Sequence, residues 1–111
     1  MLARLNRRLT LEERATTSDG AGGFAETWQT LGEVWAALAP RRGRETAGEA
    51  SAIGAVPWTV TVRGAPAGET ARPRPGQRFR NGARAWRIVA VAERDPGGRY
   101  LDCHAVEEVA P

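Results

Sequence analysis

Few residues in this chain have side chains that could carry chemistry. His104 is the only histidine and Cys103 the only cysteine. Neither a Ser–His–acid set nor a zinc cluster can be assembled from them, and an internal disulfide is excluded. Both lie in the alternating stretch Tyr100–Val106. There Cys103 reads as a small buried hydrophobe and His104 as a structural or surface residue. Gly20-Ala21-Gly22-Gly23 lacks the Lys-Ser/Thr and the strand-to-helix setting of a phosphate loop. The carboxylate pairs Glu12-Glu13 and Glu107-Glu108 are sequence neighbours, which a strand turns to opposite faces, so they read as solvated surface. No catalytic residue, metal ligand, cofactor or cofactor-binding residue is assigned, and no enzyme is expected.

The arginines are more informative. All 16 basic residues are Arg, set against 13 acidic ones, for a net charge of +3. That excess is too small and too scattered to mark nucleic-acid binding by itself. Arg84-Ala85-Trp86-Arg87 does put an aromatic among cations, as surfaces that stack single-stranded nucleic acid do. On a strand, however, Trp86 faces away from Ala85 and Arg87 and shares its side with Arg84 and Ile88. Trp35, Trp58 and Trp86 lie within alternating strands and are expected in the core; Trp28, nearer a loop-rich region, is ambiguous. The most distinctive charges are Arg41, Arg42 and Arg44, followed by Glu45 and Glu49. They form either a solvated loop or a surface facing DNA or acidic side chains of a neighbouring subunit. Copied around a ring, three arginines become a band of charge.

The elements that must position these residues are mainly β. Arg8–Arg14 alternates with period 2 and reads as a half-buried strand. The glycine cluster from Asp19 to Gly23 is a turn or loop. Phe24–Leu31 is a second strand, which Gly32 separates from a third at Glu33–Ala39. In that third strand Val34, Ala36 and Leu38 alternate with Trp35, Ala37 and Ala39, and Pro40, with no N–H to donate, stops its ladder. Pro57–Arg63 is the clearest strand. Gly64–Gly76, with Pro66, Pro73 and Pro75, is a loop of restricted freedom. Asn81-Gly82 between alternating segments predicts a type I′ hairpin, and Asp95-Pro96-Gly97-Gly98 a further turn before the last strand.

Only Gly43–Ile53 has helical spacing. Its apolar stripe (Ala47, Ala50, Ile53) is thin, and Gly48 costs about 1 kcal/mol relative to Ala. A helix this short and weak needs a neighbour to pack against, and is expected to order on assembly. The fold expected is a single domain over residues 1–111: a small antiparallel β-barrel or sandwich of six or seven strands, with one short helix in a loop inserted at 40–57. At 111 residues the chain is long enough to fold without disulfide or metal. It has neither a secretory h-region nor an apolar run approaching the roughly 20 residues of a membrane span. A soluble, cytosol-made protein is therefore expected.

One ordered series of residues points further. Leu5-x-x-Arg8-Leu9-Thr10-Leu11 precedes Asp19-x-x-Gly22-Gly23 and Glu26-Thr27-Trp28. Val34-Trp35-Ala36-x-Leu38-x-Pro40, Gly43-Arg44-Glu45 and Trp58-x-Val60-x-Val62-Arg63 follow, then Arg84-x-Trp86-x-Ile88 and Leu101-x-Cys103. From about Leu5 to Glu108 the chain resembles the head–tail joining proteins (head-closure, or stopper, proteins) of long-tailed bacteriophages and of phage-derived gene transfer agents.

The resemblance implies a small β-barrel that forms a homo-oligomeric ring in the neck of the particle, assembled in the bacterial cytoplasm. Six-fold order is preferred, with twelve-fold as the alternative. The implied partners are the portal or adaptor on one side, the tail terminator or tail tube on the other, and double-stranded DNA in the channel; no membrane is implied. In relatives the long connection between core strands projects into the channel and helps to hold packaged DNA. Here that connection is Pro40–Pro57, with Arg41, Arg42, Arg44, Glu45 and Glu49 as its charged positions. Its tip, rich in Ala and Gly, departs from what a plug acting alone would need. The alternative reading is a small β-barrel nucleic-acid-binding protein.

Overall fold

The computed structural model describes residues 4–41 and 55–108. Six antiparallel strands run through them: β1 (Arg7–Ser18), β2 (Phe24–Pro40), β3 (Ala55–Arg63), β4 (Arg78–Asn81), β5 (Arg84–Glu93) and β6 (Tyr100–Glu108). They close into a barrel in the order β1-β2-β3-β6-β5-β4. The seam is a short pairing of β1 with β4, Thr10 to Glu12 against Arg80 to Arg78. The described residues contain no helix, and the helix expected at Gly43–Ile53 lies outside them.

Alternation places one face of every strand inward. Leu9 and Leu11, Ala36, Val60 and Val62, Phe79, Trp86 and Ile88, and Leu101, Cys103 and Ala105 form one buried cluster. Each large side chain removed from water there contributes roughly 1.5–3 kcal/mol. Val34, Leu38 and Trp58 pack against the cluster from its margins.

Three expectations about backbone are corrected or refined. Gly32 does not divide two strands: β2 is continuous for 17 residues. Leu11 pairs with Gly32 and Glu12 with Thr30, so Leu31 is the extra residue of a β-bulge, which bends the strand without ending it. Pro40 does end β2, but as the last residue within its ladder and not just beyond it. It stands opposite Trp58, and the next amide, Arg41 N–H, donates to Pro57 O at 3.0 Å. A proline is tolerated there because the strand is at its end. The hairpin after β4 turns on Gly82-Ala83, with Asn81 paired to Arg84. Gly82 has φ 60° and no non-glycine residue has positive φ, the requirement of a II′ turn rather than the expected I′.

The proline-rich segment after β3 crosses to β4 and closes one end of the barrel. Pro73 is fully buried, and Gln77 nearly so. Gln77 accepts from the Arg74 amide at 2.8 Å, while the Gly76 amide donates to Ile88 O and the Ile88 amide to Gln77 O. The segment leaves β3 at Gly64, whose amide donates to Arg99 O at 2.7 Å. A Cβ at Gly64 would lie 1.9 Å from Gly98 O, so only glycine fits there.

Candidate contact surfaces

At the opposite end, β2 and β3 hold the two ends of the 40–57 connection side by side through the Arg41–Pro57 hydrogen bond. Of the charged positions expected to matter in this connection, Arg41 is half-buried at the barrel rim. Arg42, Arg44, Glu45 and Glu49 lie outside the described residues. The same end carries Trp58 and Trp86, capped by Arg84. Its guanidinium carbon is 4.7 Å from the Trp86 ring centroid and 5.6 Å from that of Trp58. Arg84 is fixed by a two-point bond to Glu107, Nε to Oε2 at 2.7 Å and Nη2 to Oε1 at 3.1 Å. That bond raises the Arg84 pKa further. Glu107 is thus an orienting partner and not the free surface carboxylate expected. The Nε of Arg41 and the Nε1 atoms of Trp58 and Trp86 are buried here without a hydrogen-bond partner.

Glu12 also departs from expectation. It is 5 % exposed, on the outer face of β1, where Arg78 and Arg80 of β4 fold over it. Arg78 Nε donates to Oε1 at 2.7 Å and Arg80 Nε to Oε2 at 2.9 Å. Burial pushes its pKa up, but the two guanidinium hydrogen bonds and charges outweigh that and hold it below the ordinary carboxylate value. Arg78 in turn lies over Trp28, its guanidinium carbon 4.1 Å from the ring centroid, and Arg14 approaches the same ring at 5.7 Å. Trp28 is therefore a cation-stacked residue at the foot of the β1–β2 hairpin. No sequence spacing signals this cluster, because its members meet across the barrel seam.

The exposed aromatics are the other surprise. Trp86 is fully buried as expected and Trp58 is half-buried, but Trp35 is 56 % exposed and Phe24 is 75 % exposed. Ala36 takes the inward position of β2, and a strand with one core face must then turn Trp35 outward. It stands opposite Arg8, which is ion-paired with Glu33. Beside it opens a cavity of about 420 Å³ lined by Leu5, Trp35, Arg63 and Tyr100. The alternation itself carried the signal: Trp35 sits out of phase with Val34, Ala36 and Leu38.

Cys103 is buried as expected, and burial pushes its thiol up to about 12, leaving it protonated and unreactive. Among the described residues no group of His, Cys, Asp or Glu could hold a metal ion.

Three comparisons bear on the whole chain. The phage head completion protein family matches over residues 1–108. A chain from the structure titled "Virion of native gene transfer agent (GTA) particle" is 48 % identical, with a TM-score of 0.77, covering 99 % of this chain and 100 % of that one. A Shigella flexneri 2a protein known from a solution structure shares the fold at 22 % identity and a TM-score of 0.65, covering 94 % and 93 %. No curated protein matches.

Proposed function

The chain belongs to the phage head completion protein family, and on that premise we propose that it is a structural component of the head–tail neck of a tailed phage or gene-transfer particle. The observation that carries this reading is the end-to-end similarity, at 48 % identity, to a chain of a gene transfer agent virion. In finer detail, copies of the chain assemble in the bacterial cytoplasm into a ring, six-fold in preference to twelve-fold. The ring joins the portal or adaptor to the tail terminator or tube. The 40–57 connection, with Arg41, Arg42, Arg44, Glu45 and Glu49, faces the DNA channel and helps to close it. Support comes from the barrel's anchoring of both ends of that connection side by side at one rim, through the Arg41–Pro57 hydrogen bond. The role is non-catalytic.

The nucleic-acid-binding alternative has weaker support, since Arg78, Arg80, Arg84 and Arg87 are engaged by carboxylates of the chain itself. Deleting the gene from a producing strain tests the proposal. Heads filled with DNA but unable to keep it or to join tails are expected. Tailed particles that retain DNA would remove the reading. Replacing Arg41, Arg42 and Arg44 together by Gln tests the channel role: DNA leakage from tailed particles is expected, and normal retention would leave only the joining role.

A further inference from the structure

We propose that the tip of the β1–β2 hairpin of one copy docks, through Phe24 and Asp19, in the Trp35 cavity of the next copy. The proposal rests on the ring reading above.

The hairpin outruns the barrel. β1 pairs with β4 only at Thr10–Glu12, and β2 pairs with β3 only at Ala36–Pro40. Residues 13–18 and 24–29 therefore pair only with each other. At the tip, Asp19 Oδ1 accepts from the Ala21 amide at 2.8 Å and the Gly23 amide at 3.1 Å. These bonds hold the turn so that Phe24, directly after it, is presented to solvent. A large aromatic held out by a well-bonded turn is a typical interface anchor. Asp19 is the only charged residue from Ala15 to Ala25 and Phe24 the only large apolar one, so the tip offers one aromatic ring and one negative charge among small side chains.

The cavity is its complement. Leu5, Trp35 and Tyr100 supply apolar walls, and a second hollow of about 240 Å³ continues from Trp35 past Val34, Val62 and Ala71. Arg63 lines both hollows and has no carboxylate partner among the described residues, in contrast to Arg78, Arg80 and Arg84. An aromatic with a nearby carboxylate fits an aromatic-walled hollow with the Arg63 guanidinium at its edge.

The geometry requires a second copy. Phe24 and Trp35 lie eleven residues apart on one strand, roughly 36 Å at the rise of a β-strand, so the tip cannot reach its own cavity. Because tip and cavity are different surfaces, the contact is head-to-tail, the kind that closes into rings when the rotation allows.

Co-expression of A21C and A71C chains in a particle-producing strain, followed by a short bis-maleimide on purified particles, tests the contact. Ala21 is exposed in the tip and Ala71 at the edge of the second hollow, so both anchors stay in place. Cys103 is buried and supplies no background. Linked A21C–A71C heterodimers are expected, with neither variant linking to itself. Mass measurement of the isolated neck runs in parallel. A ring without the heterodimer, or with A21C–A21C or A71C–A71C links instead, overturns the contact and leaves the ring reading standing. Absence of any ring overturns both. A second measurement uses Phe24→Ala, a change at an exposed site, with Phe24→Leu as the conservative control. At least a tenfold loss of self-association is expected for Ala, partly restored by Leu, with unchanged thermal unfolding of the subunit. Equal association of all three proteins would overturn the proposal.

Discussion

The barrel and the hairpin that projects from it share the same two strands, yet they are held by different physics. Within the barrel, β1 and β2 have neighbours on both edges and a filled interior: Leu9, Leu11 and Ala36 are buried among side chains from the other four strands. Beyond Glu12 and before Leu31 the same strands pair only with each other, and their residues are mostly exposed. A two-stranded ribbon is marginal in water by itself, and its open edges are available to another chain. Where the two regions meet, Glu12, Arg78 and Trp28 tie the ribbon's foot to the barrel. Stability is thus concentrated in one region, and freedom to make contacts in the other.

The largest effect should come from the interior. Trp86→Ala is expected to cost about 3–5 kcal/mol in denaturant unfolding, because a fully buried indole leaves a cavity the closed barrel cannot collapse. A loss below about 1 kcal/mol would mean that the barrel end is softer than its packing implies.

Glu12→Gln probes the junction. Removing a carboxylate that satisfies two guanidinium groups is expected to cost about 1–3 kcal/mol at neutral pH. The two arginines keep some solvent access, so the cost falls short of that for a fully buried pair. The sign with pH follows from the lowered Glu12 pKa. Its contribution is complete above the unfolded value near 4.5 and is lost as pH falls through the folded value. Unfolding curves of the two proteins should therefore converge in acid and separate above pH 4.5. Parallel curves across that range would rule out Glu12 as the acid-labile group.

Smaller effects are expected at turns and at the tip. Gly82→Ala, forcing a positive φ on a residue with a Cβ, should cost about 1 kcal/mol. The smallest effect on subunit stability should come from Phe24→Ser, within about 0.5 kcal/mol as for other exposed sites. Amide exchange sharpens the same contrast. In the free subunit Thr16 and Thr27 should exchange well before Val60 and Cys103, and uniform protection would erase the distinction between the two regions.

Much of this was legible in the chain. Strand positions followed from period-2 alternation at Arg8–Arg14, Pro57–Arg63 and Tyr100–Val106. The ordered motif series led to the family the chain belongs to. What was misread shares one cause. Gly32 looked like a boundary because a glycine in a strand signals either a break or a bulge, and only the β1 register distinguishes them. Trp35 was expected inside because a tryptophan usually is, although its phase placed it outside. Glu12 looked solvated because its partners are 66 and 68 residues away along the chain.

By itself the sequence determined the local choices: which segments extend, where turns fall, and which residues alternate inward. These depend on backbone sterics and on neighbours a few residues away. The tertiary structure alone decided how the strands close, which made a barrel out of separate extended segments. Closure left the β1–β2 ribbon without outer neighbours and buried Glu12 beneath two arginines from across the seam. It also set Trp35 and Phe24 on the outside, eleven residues apart on one strand. Those outcomes depend on pairing between distant segments, whose register is chosen by the filling of a common core.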